Sequence, residues 1–499
     1  MSGQPLPSVL KTDTVERPEV RGDVNTDLLF PVAFNQSQAK FVFDRKGILD
    51  SNSQLQLAAT VVETNGSGDI LNAFYPTSVG APALIARAYL EIGGKRVSDL
   101  QDLAHYTTWK RLHFSNEYRK GIAMPKQGGS DVFMGSAAKG IAPNSATSIR
   151  ARGFTAPYGT LGRSSSEFAT REISTPLGEQ WSTKTDTKDR AKRLITTDEN
   201  TTPTFTIGLS QLVPFLVGVQ LPLFAIREEV SLHIIFNEPV ADVAFCVPQA
   251  GATGVPINKA NCVSTIVEKK FLIMADYLFY PSMMAEIAED IMARGGYDIP
   301  YLEVIEQRNF TSYTTGGFTN DYQIQVGGKK VKFIVVQKEQ QGLNANFGNY
   351  NSVSLREGMT YNFKIDSNNV YSLGIANTAL QKTEADAVEG IPLVLNNYIY
   401  TFKGQTNGAG VIASINDFGL TDRTYNSYSQ TLECGSQGWV GLKLENAFGQ
   451  GQRISNQPII YSERGEVFAP DNGTSRNVRF WIGTQRLLNI SSGIATILE

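Results

Sequence analysis

The chain reads as all-β: two consecutive β-sandwiches with long loop excursions and a few short helices. Three observations predict this. Apolar side chains recur at every second position in Ser53–Val62, Ala83–Ile92, Val230–Phe236 and Phe271–Tyr280, the period of a half-buried strand. Turn signals such as Asn65-Gly66-Ser67-Gly68, Gly93-Gly94 and Gly327-Gly328 punctuate these runs. The length of 499 residues exceeds one ordinary domain and suits two β domains of roughly 200–250 residues each.

Composition narrows the class of function. Hydrophobic residues make up 41%, enough for true cores and too many for a disordered chain. The net charge is −3, from 45 basic and 48 acidic residues. A near-neutral chain lacks the basic face that nucleic acid requires, so no direct, sequence-specific nucleic-acid contact is expected. Lys188–Arg193 (KDRAKR) reads as a solvated loop. Low net charge also removes a barrier to self-association. Three cysteines, Cys246, Cys262 and Cys434, form no CxxC pair. Their odd number argues against a disulfide framework and suits a reducing compartment. The polar opening Met1-Ser2-Gly3-Gln4-Pro5 shows no signal peptide. No apolar run approaches the ~20 residues of a membrane span.

Residues 1–25 are polar and carry Pro5, Pro7 and Pro18. They read as an N-terminal arm, either a frayed end or a strap that docks on a neighbour. The first sandwich is expected over 26–238. Leu28–Phe34 and Lys40–Phe43 open it, and Ser53–Val62 continues it. Ala86, Ala88, Leu90 and Ile92 share a face, and Gly93-Gly94 makes a tight hairpin turn. Ser98 and Gln101 have the spacing of a capping box, which predicts a helix with Leu100, Leu103, Tyr106 and Trp109 as its apolar stripe. The stretch 121–202 is polar and rich in Gly and Ser, an excursion too long for a simple connection. Phe205–Phe236 closes this half. Leu221-Pro222-Leu223-Phe224-Ala225-Ile226 looks buried, Val230, Leu232, Ile234 and Phe236 share a face, and Asn237-Glu238-Pro239 stops the strand.

Residues 239–262, rich in Pro, Ala, Gly and Asn, are expected to be a linker. The second sandwich follows over 263–499, opening with Phe271–Tyr280. Pro281 suits a first helical turn, Met284, Ile287, Ala288 and Ile291 form a stripe, and Gly295-Gly296 ends the helix. Ile299–Gln307 is a strand, and Tyr322–Gln337 reads as a hairpin around Gly327-Gly328. A second excursion spans about 338–435. Strands at Gly438–Leu442, Gln457–Tyr461, Val478–Ile482 and Ile490–Leu498 complete the sheet.

The search for chemistry returns no catalytic, cofactor-binding or metal-binding residues. The three histidines are His105, His113 and His233. The first two are eight apart, off the i, i+4 spacing of a zinc pair. Gly94-Lys95 and Gly328-Lys329 lack the rest of a phosphate-binding loop. There is no GxSxG elbow and no calcium loop, and Glu384, Asp386 and Glu389 lack the required spacing. Paired carboxylates for glycoside chemistry would not show in sequence, but the aromatics lie mostly at inward strand positions.

Four blocks then occur in a telling order: Ala88-Tyr89-Leu90-Glu91-Ile92-Gly93-Gly94, Leu221–Val230, Ala275-Asp276-Tyr277-Leu278-Phe279, and Val331-Lys332-Phe333-Ile334-Val335-Val336-Gln337. Across 85–337 the chain resembles the double jelly-roll major capsid proteins of nucleocytoplasmic large DNA viruses, virophages and polinton-like viruses, the bacteriophage–adenovirus structural lineage. Phe333-Ile334 stands where that family often has Trp, and Arg227-Glu228 replaces a Gln-Tyr of the giant-virus members, which leans toward the virophage or polinton-like side. The C-terminal third matches no block. The resemblance implies two eight-stranded jelly rolls standing side by side, and a homotrimer of pseudo-sixfold outline that tiles an icosahedral shell. Its implied partners are neighbouring capsomers and minor capsid and penton proteins. The N-terminal arm would lie at the capsid floor, near those proteins or an internal membrane. No enzyme activity is implied. The competing reading is an attachment or carbohydrate-binding protein of lectin or fibre type. A cupin-like enzyme would need a His-x-His pair, which the chain lacks.

Overall fold

The structure is a computed structural model. It describes residues 22–63, 73–75, 79–110, 127, 194–195, 199–200, 202–239, 262–312, 316–340, 360–370, 375–376, 400–402, 411–412, 425–426, 432–434, 440–444, 450–467 and 475–498. The arm up to residue 21, residues 240–261 of the expected linker, and most of both excursions lie outside these.

Eight main strands build the first half: β1 (Asp23–Leu29), β2 (Gln38–Val42), β3 (Gln54–Leu57), β4 (Ile85–Ile92), β5 (Lys95–Gln101), β6 (Phe205–Gly208), β7 (Val230–Phe236) and β8 (Leu272–Phe279). Helix α1 (Leu103–Lys110) follows β5, and α2 (Pro281–Arg294) follows β8. The second half holds β9 (Tyr297–Ser312), β10 (Gly316–Ile324), β11 (Lys330–Gln340), β12 (Thr360–Ile365), β13 (Asn368–Asn369), β14 (Val440–Lys443), β15 (Ile459–Val467) and β16 (Ser475–Ser491). A final strand, β17 (Ile494–Leu498), pairs with β16.

The sheet orders are β1-β8-β3-β6 and β2-β7-β4-β5 in the first half, and β9-β16-β11-β14 and β10-β15-β12-β13 in the second. Each order in the second half is its counterpart shifted by eight. In both halves the eighth strand lies between the first and the third, the wrapping of a jelly roll. Two five-residue strands lie outside these orders, Ala59–Glu63 just after β3 and Cys262–Ile266 ahead of β8, and they pair antiparallel with each other, while two-residue pieces such as Ala33–Phe34 and Ile48–Leu49 extend the main sheets. The expected pair of eight-stranded sandwiches is present.

The pairing corrects several expected boundaries. Leu272–Phe279 does not open the second sandwich. It is antiparallel to β1 along Asp23↔Phe279 to Leu29↔Ile273, and it also pairs with β3. The first roll therefore closes at Phe279, and β7 is its seventh strand. Residues 239–262 connect β7 toward β8 within the first roll, and α2 joins the rolls instead. Turn-rich composition marks a loop but does not say which strands it connects. The arm is also shorter than 1–25, because Asp23–Asn25 already pair with β8.

Local readings shift for related reasons. Ser98 and Gln101 lie in β5, paired with β4, and the helix begins only at Leu103 after Asp102 turns at φ +50°. Gly327-Gly328 is not a hairpin turn. Strand β10 pairs with β15, while β11 pairs with β16, so this turn is a corner between two sheets. A Cβ on Gly327 would meet the backbone of Asn456 at 3.1 Å, a close approach that a side chain would obstruct. Leu221, Leu223 and Ile226 are buried as expected, but the run is a short bridge to Leu49 and a 3₁₀ turn rather than a strand, with Phe224 and Ala225 only partly covered. Helix α2 matches its expected plan, with Pro281 in the first turn and Ile287 buried.

Alternation decides the cores. In β7, Val230, Leu232, Ile234 and Phe236 face inward and are buried, and β4 meets them with Ala88, Leu90 and Ile92. In β16, Val478, Phe480 and Ile482 enter the core of the second roll, while Trp481 points the other way and joins the cluster of the first. One apolar cluster thus runs from the first roll into the second.

Candidate functional site at the junction of the rolls

The junction is built on the outer face of the sheet β9-β16-β11. The side chains that point away from the second core are Val304, Glu306 and Arg308 on β9, Arg479 and Trp481 on β16, and Val335 and Gln337 on β11. Glu306 stands opposite Trp481, and Arg308 opposite Arg479. The end of β5, α1 and the turns after β6 pack against this face from the first roll.

Charged residues form one side of it. The turn at Asp102 aims its carboxylate at His105 and at two arginines. His105 Nδ1 lies 2.7 Å from Oδ1, Arg308 Nη2 donates to Oδ2 at 3.1 Å, and Arg479 Nη1 also donates to Oδ2. Arg479 donates to Glu306 Oε1 at 2.8 Å, and Arg308 Nε reaches the same oxygen at 2.5 Å. The side chains of His105, Arg479 and Glu306 are almost wholly covered. Burial alone would push the Asp102 carboxyl up, but the charge and hydrogen bond of His105, with Arg479 and Arg308, outweigh it and hold the group well below the usual carboxylate range.

An aromatic layer lies beside the charges. Tyr106 of α1 meets Trp481 edge to face at 5.6 Å, and Trp481 Nε1 donates to Gln337 Oε1 at 3.1 Å. Phe215 of the first roll meets Tyr301 of β9 at 4.7 Å. A third contact clasps the β16–β17 turn. Arg227 N donates to Gly493 O at 2.8 Å, Ala495 N donates to Glu228 Oε2 at 2.8 Å, and Lys95 Nζ donates to Ala495 O at 3.1 Å. Arg227-Glu228, the departure noted in sequence, is therefore part of the hold between the rolls.

His105 is thus placed in an ion cluster. His233 lies on the outer face of the first roll, stacked on Tyr89 at 4.6 Å, with Nε2 at 3.1 Å from Ser231 Oγ. Burial draws its pKa below the ordinary histidine value against the pull of Glu91. His113 lies outside the described residues. Among the described residues no group of three or more His, Cys, Asp or Glu could hold a metal ion. Sequence reasoning did not single out Asp102, Glu306, Arg308 or Arg479. The available signal was charge inside otherwise apolar strands, Glu306-x-Arg308 and Arg479-x-Trp481.

No family model and no curated protein matches the chain. Solved structures do. A structure of the Sputnik virophage by cryo-EM aligns over 96% of this chain and 89% of its own, with a TM-score of 0.56 and 12% identity. VP54 of PBCV-1, fitted into a reconstruction of the virophage Sputnik, aligns over 97% and 98%, with a TM-score of 0.53 and 11% identity. The fold is the double jelly roll. A quasi-atomic model of the PBCV-1 capsid shares it at a TM-score of 0.50 and 11% identity, over 97% and 98%. Such low identity speaks for the fold and not for the chemistry of particular side chains. In this double jelly roll the ion cluster, the aromatic layer and the clasp all serve one task, fixing the second roll against the first.

Proposed function

We propose that the chain is a major capsid protein that self-assembles as a homotrimeric, pseudo-hexameric capsomer and tiles the icosahedral shell of a DNA virus. The observation that carries this is the repeated strand order of the two rolls among the described residues, together with the ion cluster, aromatic layer and clasp that join them. Such a tile works by shape and surface contact, so it acts without catalysis. Its partners are its own copies in the capsomer, neighbouring capsomers, and minor capsid and penton proteins. The N-terminal arm extends toward the shell floor, where those proteins or an internal membrane lie. The protein is made in the host cell and resides in the virion.

Native mass spectrometry of the purified chain at micromolar concentration tests the reading. A trimer mass, with hexagonal outlines in negative stain, is the expected result. A monomer that forms no larger species would overturn it.

A further inference from the structure

Strands β9 and β10 follow one another in the chain, yet β9 pairs with β16 and β10 with β15, in different sheets. Between them the second roll leaves a gap of about 560 Å³, within the roughly 300–1,000 Å³ of small-molecule sites. The gap is closed at both ends. At one end only three residues join Ser312 to Gly316. At the other Gln307 bridges the strands: its Nε2 donates to Gln323 O at 2.6 Å, and its Oε1 accepts from Gln325 N at 3.1 Å. The walls are polar. Asn309 shares a face of β9 with Gln307, and Asn320 shares a face of β10 with the buried Tyr322, so the two asparagines line the gap from facing sheets. The bonds to Gln307 show that Gln323 and Gln325 direct backbone groups away from β15, and the alternation of an antiparallel ladder does the same for Thr319 and Asp321. Phe310 stands at the rim, 59% exposed, an exception to the inward turn of the aromatics. The charges are balanced and engaged: Asp321 Oδ1 accepts from Ser462 Oγ at 2.5 Å, and Arg308 is held by Asp102 and Glu306.

We propose that this gap is a binding site for a neutral sugar residue. An asparagine amide presents a donor and an acceptor side by side, which matches two adjacent hydroxyls of a pyranose. Backbone groups of Thr319 and Asp321 offer further partners from the opposite wall. The ring of Phe310 covers the apolar C–H face of the sugar, the large flat contact that aromatic side chains supply. The balanced charge gives no hold on an anionic ligand. An extended peptide adding to the edge of β10 is the other ligand such a strand could take, but the Gln307 bridge and the short connection at Ser312 leave it no room to run on. The site goes beyond the capsomer reading and does not depend on it, since a shell tile can carry such a site on its surface.

The test is saturation-transfer NMR on the purified full chain, with the methyl glycosides of glucose, galactose, mannose, fucose and N-acetylglucosamine as probes at millimolar concentration. At least one probe should receive saturation from the wild type. Phe310→Ala and Asn309→Ala should each weaken its binding roughly tenfold, the loss expected for a stacked ring or a hydrogen-bonding amide. Phe30→Ala, at an exposed aromatic that does not line the gap, should leave binding unchanged. Thermal unfolding followed by circular dichroism reports whether each variant folds. Phe310 faces solvent, so its variant is expected to fold, and it decides alone if Asn309→Ala does not. No response from any of the glycosides overturns the proposal. So does binding that survives both substitutions, or that falls as far in Phe30→Ala. A response to tetraalanine amide and to no sugar would also overturn it and assign the gap to a peptide strand. None of these outcomes alters the trimer mass on which the capsomer reading is tested.

Discussion

Asp102 stays ionised in a largely covered position because His105, Arg479 and Arg308 surround it. Its pKa is lower in the folded chain than in the unfolded one. The stabilisation is therefore fully present above the ordinary aspartate value of about 3.9 and fades as pH falls from there toward the lowered folded value. Asp102→Asn keeps the shape and removes the charge. It should cost about 1–3 kcal/mol at pH 7, the range for leaving buried polar partners unmatched. Its denaturation midpoint should also fall less than that of wild type as pH is lowered from 5 to 3. Urea titrations of both proteins across that window measure this, and parallel curves would remove Asp102 from the account. None of this was legible in sequence. Asp102, Glu306 and Arg479 lie far apart in the chain, and charge in a strand looks like a solvent-facing position until the opposite sheet face is known to be covered.

At the level of single elements, Gly93-Gly94 shows what a turn signal contains. Gly93 has φ +57° and Gly94 φ +77°, so both occupy the left-handed region, which costs other residues roughly 1–2 kcal/mol. A Cβ on Gly94 meets nothing within 4 Å, whereas one on Gly93 would come 2.3 Å from Glu228 Oε1. Gly94→Ala should therefore cost only the backbone strain, about 1–2 kcal/mol. Gly93→Ala should cost more, because it also displaces Glu228 from the Ala495 amide. Chemical denaturation of the two variants checks the order, and equal losses would argue against a role for the Glu228 contact. Strand positions such as Val230–Phe236 were readable because alternation is a local property. The corner at Gly327-Gly328 carries the sequence of a hairpin turn because glycine reports the bend and not the partner. The apolar run Leu221–Ile226 does not by itself distinguish a strand from a plug, because burial in either leaves the same pattern.

Across the whole molecule, the cluster that joins Tyr106, Phe215, Tyr301 and Trp481 makes the two rolls share apolar surface. Separating them would expose Trp481 and leave Arg308 and Arg479 without Asp102. Calorimetry should accordingly show one unfolding transition rather than two, and two resolved peaks would mean that the junction is weaker than its contacts suggest. The fold class and the division into two similar halves could be read from the sequence, since periodicity and turn spacing carry them. The location of the join could not, because it depends on which distant strand fills the gap between β1 and β3.

That gap has a consequence for how the protein is made. Asp23 pairs with Phe279, so β1 emerges from the ribosome long before its partner exists. Until Phe279 clears the exit tunnel, β1 and β3 lack the strand that separates them, and the first roll stays open. Such distant pairing folds slowly and leaves unpaired strand edges exposed to other nascent chains. The interval between synthesis of Leu29 and synthesis of Leu272 is therefore the period of greatest exposure to aggregation, and the stage at which a chaperone would matter most.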